Sequence, residues 1–424
     1  MHDFHYYDDK LFCENLPLEL IAKEVGTPCY IYSLATLQRH FKAFDSAFSD
    51  IDHITCFSVK SNSNIALLRL FSSMGGGTDI VSSGELFRSL KAGVSPEKIV
   101  YSGVGKREED IEYALRSNIL MFNVESMQEI EVINRVAGRL GKKAPVALRV
   151  NPDVDPMTHP YISTGLKDNK FGLDINHALS CYTKISSLPN ISIRGVDCHI
   201  GSQLTEISPF VDALKKIREL INALQKNKIE ISHLDLGGGL GIAYHDEMPP
   251  EPKEYADAVL GILKDLNLKL ILEPGRVIVG NAGILLAKVI YIKHSVNKQF
   301  IIIDAAMNDL IRPALYHSYH AIKPVILRDV ESFTADVVGP ICESSDFMAK
   351  ERLLPEVSQG DLLAIMSAGA YGFTMSSNYN SRLKACEILV DGKQMHIIRE
   401  RESYKDLIKG ENIPDFLDLE REGS

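Results

Sequence analysis

Short apolar runs alternate with amphipathic stretches between residues 36 and 278. Strand-length runs of aliphatic and β-branched residues occur at Ile54–Val59, Thr78–Val81, Ile99–Ser102, Leu120–Val124, Val146–Val150, Ile193–His199, His233–Leu236 and Lys269–Leu272. Helical spacing marks Asn64–Ser73, Gly84–Ala92, Lys106–Ser117, Ser126–Leu140, Phe210–Gln225 and Tyr255–Leu266 between them. Eight such alternations predict an α/β fold, a (β/α)8 barrel of the TIM type. A doubly wound open sheet is the rival. The count of eight weighs against it, as does the lack of a G-x-G-x-x-G after the first strand.

Past residue 279 the pattern changes. Ile284–Ile292, Phe300–Asp304, Lys323–Arg328, Thr334–Val338 and Asp361–Ser367 are rich in Val and Ile and lack long helical spacers. Ala385–Val390 and Met395–Arg399 flank Asp391-Gly392, which predicts a type I′ hairpin. These runs predict a second, mostly antiparallel β domain. The strand-like Cys29-Tyr30-Ile31-Tyr32 lies outside the eight. The expected division is therefore a barrel at 36–278 and a discontinuous β domain from 1–35 plus 279–424.

Composition narrows the class. A chain of 424 residues suits about two domains. With 45% hydrophobic and 24% charged residues it reads as soluble and globular. A formal charge of −10 and no long basic run argue against nucleic acid as a partner. No apolar run is long enough for a bilayer, and the polar N-terminus carries no signal-peptide core, so no membrane partner is expected. Seven cysteines without a C-x-x-C pair support neither a disulfide framework nor a structural zinc, and no metal site is read. A reducing cytoplasm is the expected location.

The candidate chemistry gathers at strand ends, where barrels place their function. Lys60 follows the first strand in Phe57-Ser58-Val59-Lys60-Ser61-Asn62. Desolvation there is expected to lower its pKa and free an amine nucleophile, suited to a Schiff base with an aldehyde such as pyridoxal phosphate. The blander reading is a solvated lysine at a strand end. Asp79 lies in the second strand, with Glu85 after it. Arg149 is late in the fifth strand and His199 ends the sixth. Gly237-Gly238-Gly239 follows the seventh, and Glu273-Pro274-Gly275-Arg276 the eighth. A glycine run lets backbone N–H groups approach an anion, and loops after strands seven and eight are common phosphate sites. Glu273 could keep a pyridine nitrogen protonated, or could pair with Arg276 or Arg149. His199 could stack on a cofactor ring, or be a core histidine bonded to backbone.

These segments resemble the fold-type III pyridoxal-phosphate-dependent decarboxylases over nearly the whole chain. The resemblance begins at Gly26-Thr27-Pro28-Cys29 and includes Asp79-Ile80-Val81-Ser82-Ser83-Gly84-Glu85 and Cys198-His199-Ile200-Gly201-Ser202-Gln203. It continues in Arg312-Pro313-Ala314-Leu315-Tyr316, Gly339-Pro340-Ile341-Cys342-Glu343 and Gly369-Ala370-Tyr371-Gly372. Within the family, His159-Pro160-Tyr161-Ile162-Ser163-Thr164-Gly165 and Asn169-Lys170-Phe171-Gly172 are similar to the branch acting on meso-diaminopimelate. Asn169 stands where that branch usually has serine.

The resemblance implies a role for each position. Lys60 holds the cofactor, with Asp79 and Glu85 helping to position it. Gly237, Gly238, Gly239, Ser202, the backbone at Gly275-Arg276, and Tyr371 bind the phosphate. His199 lies on one ring face and Glu273 at the ring nitrogen. Arg276, Arg312 and Tyr316 clamp the substrate's distal carboxylate, and Glu343 takes its distal ammonium. Cys342 returns a proton to the reacting carbon, and the Cys342-Glu343 segment serves the partner subunit's site in a homodimer. By itself, without the resemblance, Cys342 reads as a buried small residue. The implied reaction is release of carbon dioxide from meso-2,6-diaminopimelate to give L-lysine. Related decarboxylases of carboxynorspermidine, ornithine or lysine, or a non-catalytic cofactor-binding protein, are the alternatives.

Overall fold

The computed structural model describes residues 2–155, 170–296 and 298–417. Eight parallel strands form its centre: β1 (His53–Ser58), β2 (Gly77–Ile80), β3 (Ile99–Tyr101), β4 (Met121–Val124), β5 (Ala144–Asn151), β6 (Ile191–Asp197), β7 (His233–Asp235) and β8 (Lys269–Leu272). Each pairs with the next, and β8 pairs with β1, so the sheet closes into a barrel. Helices cover the outer face of the strands, which is why the strand sequences are nearly continuous apolar runs.

The turns at the C-terminal rim are set by helix caps. Asn64 accepts from Ala66 N–H, Ser82 from Glu85 N–H, and Ser126 from Glu129 N–H. Each cap satisfies a donor that the first helical turn leaves open and contributes about 1 kcal/mol. Five of the eight expected strands end one or two residues early, two of them beside site residues. Val59 and Lys60 belong to a one-turn 3₁₀ segment, Val59–Ser61, and His199 lies two residues beyond β6.

The second sheet is built on a 12-residue strand, Gly283–His294. It pairs antiparallel with Cys29–Ser33, Leu362–Ile365 and Gln299–Ile303. Cys386–Asp391 joins in parallel beside Cys29–Ser33. Phe347–Pro355, absent from the sequence reading, pairs antiparallel with Ser332–Val338. Its exposed Lys350-Glu351 and half-buried Arg352 interrupt the apolar pattern. Residues 4–17 hold a small three-stranded sheet that their polar sequence conceals.

The turn after Cys386–Asp391 differs from expectation. The two loop residues are Gly392 and Lys393, because Asp391 pairs with Gln394. Only Gly392 has positive φ, at +58°. That is the pattern of a type II′ turn, not the type I′ turn inferred from Asp391-Gly392.

The second sheet reaches the barrel rim at Lys60. Tyr371 N–H donates to Ser61 C=O at 2.8 Å, and Asn62 donates to Gly369 C=O at 3.2 Å. Below, Asn64 and Tyr32 both donate to the buried carboxylate of Glu387. No described helix is long and apolar enough to cross a membrane.

Candidate active site

Lys60 sits on a short turn whose neighbours restrict it. Its Nζ donates to Asp79 Oδ2 at 3.0 Å, and Ser58 donates to the same oxygen at 2.9 Å. Asp79 is fully buried, whereas about a third of the lysine side chain is exposed. Desolvation pushes the Lys60 ammonium towards losing its proton, as expected. The carboxylates of Asp79 and Glu273 outweigh it, and the pKa is raised, not lowered. As a free side chain Lys60 is therefore an ammonium ion held by Asp79.

Further carboxyls crowd the same rim. Asp197, Asp235 and Glu273 project from the ends of β6, β7 and β8. Burial, followed by mutual repulsion, pushes Asp197 and Glu273 well above the usual carboxylate range. Burial also raises Asp235, to about 6. Asn123, from β4, donates to Asp235 at 2.9 Å and to Glu273 at 3.4 Å. Ser102 lies 3.4 Å from the same Glu273 oxygen. The salt bridge considered for Glu273 is not made. Arg149 pairs with Glu125 at 2.8 Å, and Arg276 bonds to Tyr244 and Ser202. Asp197, Asp235 and Asn123 were not singled out in the sequence. The only signal there is one polar residue at the end of an apolar strand.

Glu85 lies near enough to Lys60 to feel its charge, but its carboxylate bonds elsewhere. Its carboxylate accepts from Val81 N–H at 2.7 Å, and no bond to Lys60 forms. Burial first, and Asp79 further on, raise its pKa from 4.5 to about 7. A raised carboxyl stabilises the fold while protonated, and that stability is lost as pH rises from about 4.5 through 7. The cofactor-free Glu85→Gln variant should thus melt higher than wild type at pH 8, with the gap narrowing towards pH 5. Parallel melting curves across that range would contradict the assignment.

Opposite Lys60, the glycine loop packs on His199. Gly237 and Gly239 have φ of +62° and +119°, a region glycine favours. A Cβ at Gly237 would lie 2.6 Å from His199 Nδ1, and one at Gly238 would strike the Glu273 carbonyl. Gly238 N–H donates to His199 Nδ1 at 3.1 Å. Burial, with Arg149 and Lys60 nearby, keeps the imidazole neutral. Its Nε2 therefore carries the proton. His199 is thus bonded to backbone, as one reading had it, and it also lines the cavity.

That cavity has a volume of about 500 Å³. Lys60, His199, Ser202, Gly237, Gly238, Gly239, Glu273, Gly275, Arg276, Arg312, Tyr316 and Tyr371 all border it. Asp79 reaches Lys60 from beneath. Cys342 and Glu343 are not on its wall. Cys342 is the single exposed cysteine of seven, so the buried reading fails. Its N–H donates to Asn380 at 3.2 Å, and the exposed Glu343 carboxylate accepts from Tyr379 at 2.6 Å and from Ser345. His159–Gly165 and Asn169 lie outside the described residues.

At one end of the cavity stand two buried arginines. Arg276 Nη1 donates to Tyr244 Oη at 2.6 Å and Nη2 to Ser202 at 3.1 Å; its Nε has no partner. Its guanidinium lies 4.9 Å from the ring centre of Tyr371. Arg312 donates to His320 Nε2 at 3.4 Å and to Ser318 at 3.3 Å. Among the described residues neither pairs with a carboxylate.

These residues fit a phosphorylated aldehyde. A glycine cradle that a Cβ would fill, an unpartnered buried guanidinium nitrogen, a lysine and a buried carboxyl with a raised pKa line one cavity. Residues 34–280 match the family model of the pyridoxal-dependent decarboxylases, pyridoxal binding domain. This defines the class: the chain is a pyridoxal-phosphate-dependent decarboxylase. Diaminopimelate decarboxylase of Vibrio cholerae is 52% identical over 97% of this chain and 99% of that protein. The crystal structure of diaminopimelate decarboxylase from Helicobacter pylori, complexed with L-lysine, superposes with a TM-score of 0.90 at 42% identity, covering 92% of this chain and 98% of that one. That from M. jannaschii gives 0.94 at 40% identity, covering 98% and 99%. The chain belongs to the diaminopimelate decarboxylase family.

Proposed function

We propose that the chain removes carbon dioxide from meso-2,6-diaminopimelate to yield L-lysine, with the arginine pair selecting the substrate by its second carboxylate. The observation that carries this is the partnering of Arg276 and Arg312. Both are buried beside the cavity of Lys60, and both bond only to uncharged groups. Guanidinium donors match a carboxylate in two-point geometry. A monocarboxylic substrate such as ornithine or lysine would leave the pair unmatched.

When bound, the cofactor supplies an aldehyde for amine exchange and a protonated ring that accepts electrons as carbon dioxide leaves. The chain's own residues would hold and orient it. Lys60 Nζ would bind the aldehyde carbon. Gly237, Gly238, Gly239, Ser202, Tyr371 and the backbone at Gly275-Arg276 would hold the phosphate. His199 would lie against the ring, and the carboxylate of Glu273 beside the ring nitrogen would favour a proton there. Asp79 orients Lys60, and its carboxylate holds the amine's proton when the lysine is free. Tyr316 joins Arg276 and Arg312 at the distal carboxylate.

Cys342 and Glu343 complete the reading from a second subunit. Their exposure on their own chain, off its cavity wall, supports this reading. Cys342 Sγ would deliver the proton to the carbon that has lost carbon dioxide, and Glu343 would take the distal ammonium. The assembly is a cytoplasmic homodimer, with the barrel at 36–278 and the second domain from 1–35 plus 279–424. Two inactive chains, Lys60→Ala and Cys342→Ala, should then complement each other. A mixed dimer holds one site with both defects and one with neither. Random pairing gives about a quarter of wild-type activity by twofold symmetry. No recovery in verified heterodimers would remove the shared site.

Carbon dioxide release from a panel of amino acids tests the substrate. Release is expected from meso-diaminopimelate and not from ornithine or lysine. Equal or faster release from carboxynorspermidine would overturn the assignment.

A further inference from the structure

We propose that His320 and Tyr244 are positioning residues for the arginine pair. They hold Arg312 and Arg276 through uncharged acceptors, so that both cations keep their full charge for an anion in the cavity. This rests on the reading of the pair as the distal-carboxylate clamp.

A buried arginine ordinarily meets a carboxylate, because desolvation of an unpaired cation is costly. Arg149, in the same barrel, follows that rule with Glu125. Arg276 and Arg312 do not. His320 is fully buried, and its Nδ1 lies 2.8 Å from the Met366 carbonyl, which can only accept. The ring proton is thus on Nδ1, and Nε2 presents a lone pair to Arg312 Nε. Burial and the adjacent Arg312 keep this imidazole neutral, with its pKa lowered to about 3. A charged imidazolium would lose the acceptor and repel both arginines.

Tyr244 stands between the two cations. Its hydroxyl accepts from Arg276, and its ring centre lies 5.1 Å from the Arg312 guanidinium. The ring meets His320 edge-on at 5.3 Å. One tyrosine thereby sets the orientation of one arginine and supports the acceptor of the other. A carboxylate in either place would hold its arginine more strongly. It would also neutralise it, and an incoming anion would have to compete. Neutral acceptors fix geometry without spending charge, the general form of electrostatic preorganisation.

The experiment uses the holoenzyme and two readouts: KM and kcat for meso-diaminopimelate, and inhibition by heptanedioate, a diacid without amines. His320→Leu should raise KM and the heptanedioate inhibition constant about tenfold, or about 1.4 kcal/mol, while kcat falls less than about threefold. His320→Gln, which restores an acceptor, should recover most of the loss. Tyr244→Phe, lacking one oxygen, should weaken both ligands likewise. In an Arg312→Ala background, His320→Leu should add less than about twofold. Full additivity there, or unchanged constants in His320→Leu and Tyr244→Phe, overturns the proposal. Should His320→Leu fail to fold, Tyr244→Phe decides by the same criteria. If Arg312→Ala itself leaves both constants unchanged, the clamp reading falls, and this inference with it.

Discussion

Lys60→Ala should abolish turnover and the visible absorbance of bound cofactor together. Lys60 is the one lysine on the wall of the cavity among the described residues. Lys106, buried nearby, is fully used by Glu129 and the carbonyls of Gly103 and Asn123. No second amine is therefore placed to bind the cofactor's aldehyde. The loss should be on the order of 10³-fold or more, as for removal of a nucleophile that acts within a unit. The cofactor-free variant should also melt lower, because the fully buried Asp79 loses its cation and keeps only the bond from Ser58. An active variant with an intact absorbance would end the assignment of Lys60.

Arg276→Ala and Arg312→Ala should weaken meso-diaminopimelate far more than the cofactor. Truncating one partner leaves the substrate's carboxylate unpaired in a partly desolvated pocket, at a cost of about 2–5 kcal/mol. That corresponds to a loss in kcat/KM from about 30-fold to a few thousand-fold. Arg312 should show the cleaner effect, since Arg276 also bonds to Ser202, a candidate phosphate ligand. Steady-state kinetics beside a cofactor titration checks both. Unchanged kinetics in both variants would remove the clamp.

The parts of the site legible in the sequence are those tied to strand ends. Lys60, His199, the glycine run and Glu273 each close an apolar run, and barrel closure brings such positions to one rim. Asp197, Asp235 and Asn123 close runs too. Whether such a residue points inwards depends on strand register, which an apolar pattern on both faces does not reveal. The reversed pKa of Lys60 has a different source: Asp79 and Glu273 are both visible in the sequence as strand-end carboxyls, but that their pull on the amine outweighs its desolvation follows only from their spacing in the closed barrel. Tyr244 and His320 lie in loops 76 residues apart, with no motif linking them. They meet only where the second sheet packs over the rim. The hairpin turn shows the same limit at short range, because a one-residue change of register moved Gly392 from the second loop position to the first.

Lys60 as the carrier of the cofactor is open to a direct chemical test. Borohydride reduction of the holoenzyme fixes the lysine–cofactor link as a stable secondary amine, and peptide mapping then locates it. The label is expected on the peptide containing Phe57-Ser58-Val59-Lys60-Ser61-Asn62, at Lys60 alone. A label on any other lysine would contradict the account.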